Sequence, residues 1–208
     1  MVNFDKVRSL LNQERFQDAY ALLQEEEPAA RSVDANRLLG LACRRMNRHA
    51  EAAGFYELVC AQSKEADDWF NLAMARLLGG DPVHAIVAIE EAKRLHSKVK
   101  DAMSWPMMLF HFIGGLLDTG MWDAAKRYLK DLAEIYVQLG TTEDKLLYAQ
   151  NVPYFSWMLN AALSAYRNSN SQKAGAEWLN ALSARLDLPG QGKVKNAVQL
   201  LLRPQAEK

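Results

Sequence analysis

The apolar positions of this chain recur at helical spacing, and the sizes of the side chains at those positions repeat along it. Ala19, Ala52 and Ala85 stand 33 residues apart, and each is followed four residues later by a large side chain: Leu23, Tyr56 and Ile89. Three residues before them come Phe16, His49 and Pro82, and farther upstream the chain reads Asp5-Lys6-Val7, Leu38-Leu39-Gly40 and Asn71-Leu72-Ala73. Asn47 and Gly80 mark a turn between the two halves. A fixed period of this length is the mark of a repeat protein, in which one small unit buries its apolar face against the next. The unit reads helix, short turn, helix. Long alternating apolar and polar runs bounded by turn dipeptides are missing, which argues against strands.

Further copies follow with altered spacing. Gly120, Trp122, Ala125 and Leu129 repeat the turn and second helix 40 residues after the third alanine. Ala161, Ala162, Ala174 and Trp178 give a fifth copy, 49 residues later still. The extra chain at 141–152 reads as an insertion, with Thr141 and Asp144 spaced for a capping box. Val194, Ala197, Val198 and Leu201 share one face of a closing helix over 193–203. The repeats are therefore expected at 1–32, 33–65, 66–98, 105–139 and 154–187, in a single all-α domain over 1–208. The longest apolar stretch, 103–117, contains His111 and is too short to span a bilayer. It predicts a buried helix capped by Ser104, with Pro106 in its first turn.

These residues resemble the tetratricopeptide repeat, whose signature is an aromatic residue, a Leu-Gly pair, a turn glycine, an alanine in the second helix and a large residue four later. The third copy carries the resemblance best, through Trp69, Leu72, Ala73, Gly80, Ala85, Ile89 and Ala92. No proline closes the copies, and Pro82 stands where the family often has an aromatic. The resemblance implies a right-handed superhelical solenoid of about five helical hairpins with a C-terminal capping helix. It also implies a non-enzymatic protein–protein interaction adaptor, scaffolding a partner in a groove lined by the first helix of each hairpin. A secretion or assembly chaperone holding an apolar segment, and a self-associating structural subunit, are the alternatives. The clamp with which one subclass grips acidic chaperone tails is absent, because its five positions hold Phe4, Arg8, Leu38, Asp67 and Asn71.

In this register two chemical zones line the groove. Arg8, Arg37, Arg44 and Arg45, beside Leu41, form a basic end suited to carboxylates, which guanidinium groups hold bidentately. Phe70, Met74, Met107, Phe110, Leu159, Leu163 and Tyr166 form an apolar end. Gly114-Gly115 within a helix points to close approach by another helix or a ligand. The expected partner is a protein or peptide that joins acidic residues to large apolar anchors, with a homodimer as the alternative.

Charge and composition narrow the function further. The 25 basic and 25 acidic residues cancel, so no global field draws the chain to nucleic acid. Cys43 and Cys60 fit interior positions better than a disulfide. His49, His84, His96 and His111 are scattered, no Gly-rich phosphate loop follows a strand, and no nucleophile elbow occurs, so neither enzyme, metal nor cofactor is expected. Gly79-Gly80 reads as a helix end. The first residues lack the layout of a signal peptide, which makes the cytoplasm the default expectation.

Overall fold

The computed structural model describes residues 2–28, 31–96 and 103–203. Among these residues the chain forms twelve α-helices and no strand. They are α1 (Phe4–Asn12), α2 (Phe16–Gln24), α3 (Val33–Arg45), α4 (His49–Cys60), α5 (Ala66–Leu78), α6 (Pro82–His96), α7 (Trp105–Asp118), α8 (Trp122–Leu139), α9 (Asp144–Ala149), α10 (Phe155–Asn168), α11 (Gln172–Ser183) and α12 (Leu188–Leu202). The chain divides into two compact units, Met1–Ala102 with α1 to α6 and Met103–Lys208 with α7 to α12. No helix among the described residues is long and apolar enough to cross a membrane.

One turn closes five of the hairpins. Arg15, Arg48, Asp81, Met121 and Ser171 each donate an N–H to the carbonyl five residues back, at 2.8–2.9 Å. The residue before each of them, Glu14, Asn47, Gly80, Gly120 or Asn170, has φ between 52° and 87°. This is the Schellman arrangement, which satisfies carbonyls that a helix end would otherwise leave bare. The next helix starts one residue later, and its fourth residue is Ala19, Ala52, Ala85, Ala125 or Gly175, buried in every case.

A small residue is required there because the two helices of a hairpin cross at that point. The fifth copy departs from the sequence expectation. Ala174 is exposed and Gly175 is buried, where an added Cβ would lie 2.6 Å from Cγ of Tyr166. Register in that copy therefore runs one residue later than the alanines suggest, since the large side chain comes from α10 and the gap from α11.

In the first unit consecutive helices pack against one another, and α1 also meets α3. Val7, Leu10, Leu11, Ala19, Leu23, Ala35, Leu39 and Ala42 form one buried cluster, with Phe4 and Leu41 packed on it. Gly40 lets α3 approach α4 closely, because a Cβ there would meet the Tyr56 ring at 2.9 Å. Burial pushes the Cys43 and Cys60 thiols up to about 11 and about 12, so both remain protonated, and both are free.

In the second unit α7 packs on α8 and α10, and α12 packs on α10 and α11. Phe112 meets Tyr128 edge to face at 5.3 Å, and Tyr136 meets Phe155 at 5.0 Å. The Ser104 hydroxyl caps α7 by accepting the Met107 N–H, with proline in the first turn. The capping box expected at 141–152 is not formed. Glu143 is the N-cap of α9, and the Thr141 hydroxyl accepts the Glu143 N–H at 3.2 Å instead. The closing helix begins at Leu188, earlier than expected, because the Asp187 carboxylate accepts the Gly190 N–H at 3.0 Å and a proline follows in the first turn.

Candidate functional site: an aromatic cleft beside α9

The sequence-predicted basic end falls apart as an open surface when its residues are placed. Arg37 donates from Nε and Nη2 to the Asp68 carboxylate at 2.7–3.1 Å, and it also pairs with Asp34 at 2.8 Å and Glu65 at 3.2 Å. Asp68 is only 3% exposed. A buried carboxylate must be paired, and a guanidinium fork fits it bidentately. Those hydrogen bonds to Asp68, opposed by partial burial, hold Arg37 charged to an even higher pH than usual. Arg37 is thus a tie between α3 and α5. Arg8 is exposed and pairs with Asp5 at 3.5 Å. Arg44 is half-buried and Arg45 exposed, and neither forms an ion pair among the described residues.

The apolar end divides in the same way. Phe70 is 5% exposed and Leu159 and Tyr166 are buried as deeply, so these three belong to the core and offer no open wall. Tyr166 is held between Gly175 and Trp178, whose ring stacks on it at 5.6 Å, and the Lys126 ammonium lies 5.5 Å from its centroid. Leu41 is taken up by the α1 and α3 cluster. Met74 and Leu163 are half-buried. Met107 and Phe110 alone come together with further exposed aromatics.

Those aromatics surround a cleft of about 450 Å³ in the second unit, lined by Met107, Tyr148, Asn151, Pro153, Tyr154 and Trp157 among others. Tyr148 is 76% exposed and Trp157 44%. The Tyr154 and Trp157 rings have centroids 4.7 Å apart, and Trp157 stacks on Phe110 at 5.7 Å, giving a continuous row of three rings from α10 to α7. One turn beyond Phe110 on α7 lies Gly114, where a Cβ would have nothing within 4 Å. No packing inside the protein therefore calls for a glycine at that position.

The wall of the cleft is held in place by a set of polar ties. At one end of the 141–152 segment, the Thr142 hydroxyl donates to Asp187 at 2.6 Å, and the Thr142 N–H donates to the same carboxylate at 2.9 Å. The Lys193 ammonium donates to the Thr142 carbonyl at 2.9 Å and pairs with Asp144 at 3.2 Å. At the other end the buried Tyr136 hydroxyl donates to the Pro153 carbonyl at 2.7 Å, and the Ser104 hydroxyl donates to the Asn151 carbonyl. Burial pushes the Tyr136 phenol up, so it stays a donor across the ordinary pH range. Leu147 anchors α9 from below, fully buried. A surface pinned at both ends is preformed, and it loses little entropy on meeting a ligand.

Met107, Phe110 and Gly114, expected along the groove, share one face of α7, and sequence reasoning did not pick out Tyr148, Tyr154 or Trp157. The run Asn151-Val152-Pro153-Tyr154-Phe155-Ser156-Trp157 carried the signal, with three aromatics in four residues after a proline. Only Phe155 of the three is buried. A second cleft, of about 530 Å³ in the first unit, is lined by Trp69, Ile86, Val87, Glu90, Glu91 and Arg94 of α5 and α6. Trp69 counted in the sequence as a repeat marker. No protein-family model and no curated protein matches the chain.

Proposed function

We propose that the protein is a non-enzymatic interaction adaptor built from tetratricopeptide-like hairpins, and that it docks a segment of a partner polypeptide on the aromatic cleft of its second unit. The reading rests on one observation: the row formed by Tyr154, Trp157 and Phe110, bordered by the exposed Tyr148. Rigid aromatic side chains supply much contact area at small entropic cost, and they dominate the energetics of peptide recognition. The repeat reading is supported by the 33-residue spacing of the three alanines and by the five identical turns.

A peptide library displayed on phage and selected against the whole chain tests the reading. Selected peptides are expected to lose at least about tenfold in affinity for Trp157→Ala, which removes a hot-spot residue type from the cleft wall, and for Phe110→Glu, which replaces the ring stacked on Trp157 with a charge. Circular dichroism must show both variants folded. Peptides that bind folded variants and wild type alike would place recognition elsewhere. A stable dimer in light scattering that Phe110→Glu converts to a folded monomer would give the cleft to a second copy of the chain instead.

A further inference from the structure

We infer that the occupant of this cleft is an uncharged, proline-rich segment in the polyproline II conformation; the inference rests on the docking function proposed above. Three features of the cleft carry it. First, no charged side chain lines the cleft among the described residues. A ligand recognised through carboxylates or ammonium groups would find no counterpart here. Second, the rim offers donors without partners. Neither the Tyr148 and Tyr154 hydroxyls nor the Trp157 indole N–H forms a hydrogen bond with any described residue. A polyproline II strand has the complementary chemistry, because it makes no internal hydrogen bonds, its carbonyls point outward unpaired, and proline has no N–H to satisfy. An α-helical ligand has already spent its backbone carbonyls on itself, and would leave these ring donors to water.

Third, the dimensions agree. The successive ring separations are 4.7 and 5.7 Å, so neighbouring rings stand well within one polyproline II turn, which rises roughly 9 Å over three residues. Pyrrolidine rings stack on aromatic faces, and the strand is stiff before it binds, so little entropy is lost. Gly114 continues the row along α7, and its bare surface admits the backbone of an extended chain.

Calorimetric titration of the full chain with an uncharged oligoproline of about nine residues, three turns of the helix, tests the inference. Saturable binding is expected, weakened at least about tenfold by Trp157→Ala. Trp157→Phe and Tyr148→Phe keep a ring and remove one donor each, and about threefold to tenfold losses are expected from either. Tyr148 is too exposed for its substitution to disturb folding. Gly114→Leu should weaken the same peptide without loss of helicity. An amphipathic helical peptide and an oligosaccharide of glucose serve as competing probes. If either binds at the cleft and oligoproline does not, the inference is overturned. If oligoproline fails while library-selected peptides still lose affinity in Trp157→Ala, the polyproline inference falls and the docking function stands. If no peptide loses affinity in that variant, both fall.

Discussion

At the scale of single residues, the glycines separate packing from function. At Gly40 two effects of opposite sign compete. Replacing a helical glycine with alanine gains about 1 kcal/mol of backbone propensity, whereas overpacking a full interior costs about 1–3 kcal/mol. The clash wins, because the Cβ would stand 2.9 Å from two ring atoms of Tyr56, itself buried and unable to swing away cheaply. Gly40→Ala is expected to be destabilised by up to about 2 kcal/mol in urea denaturation, and Tyr56→Leu in the same background should cost less than the sum of the two. At Gly114 the clash is missing, since nothing lies within 4 Å of the Cβ position. Gly114→Ala should therefore stabilise the protein by about 0.5–1 kcal/mol. Equal and opposite behaviour at the two sites would mark Gly114 as kept for a ligand. A destabilised Gly114→Ala would show instead that α7 needs the glycine for its own packing.

At the scale of elements, polar ties decide which helices stay together. Arg37 joins α3 to the deeply buried Asp68 of α5. Arg37→Met would strand that carboxylate, and the expected loss is about 2–3 kcal/mol, the low end for a buried pair because Arg37 itself is partly exposed. Arg37→Lys should recover only part, since an ammonium cannot bridge both carboxylate oxygens; full recovery would reduce the tie to simple charge. Asp187 joins the 141–152 segment to α12 and makes stability depend on pH. Burial opposes its ionisation. The hydrogen bonds from Thr142 and Gly190 and the charge of Lys193 outweigh burial and hold the carboxyl below its ordinary value of 3.8. A carboxyl depressed in the fold contributes its stability above the unfolded value and loses it as pH falls through the folded one. The chain should thus lose stability progressively below about pH 4, and Asp187→Asn should be less stable at pH 7 yet show a shallower acid limb. An unchanged limb would mean that other carboxylates carry it. Much of this layer was legible beforehand: the three alanines, Gly80 and Ser104 announced their helices because size and φ are local demands. Asp68 and Asp187 were not legible, because a carboxylate in a sequence reads as solvated until its partner, 31 residues away on another helix for Arg37 and 45 away for Thr142, is brought beside it. Phe70 and Tyr166 were misjudged as groove lining for the same reason, since only the packed neighbours distinguish an inward ring from an open one.

At the scale of the whole molecule, the two units each carry the means of their own stability. The second, Met103–Lys208, buries Met108, Leu109, Phe112, Ile113, Tyr128, Tyr136 and Phe155 almost completely. It opens on a capped helix at Ser104 and closes on a helix capped by Asp187. About 100 residues is enough for an independent core, and every tie that shapes the aromatic cleft, from Ser104 to Lys193, lies within it. Residues 103–208 expressed alone are therefore expected to be helical by circular dichroism, to unfold in one cooperative transition, and to bind any cleft ligand within about threefold of the full chain, an energy difference below 1 kcal/mol. Local packing sets this expectation, so its failure would be informative in two separate ways. A fragment without cooperative unfolding would show that the core of α7 to α12 depends on the first unit. A folded fragment that binds more weakly would show that recognition is not confined to residues 103–208.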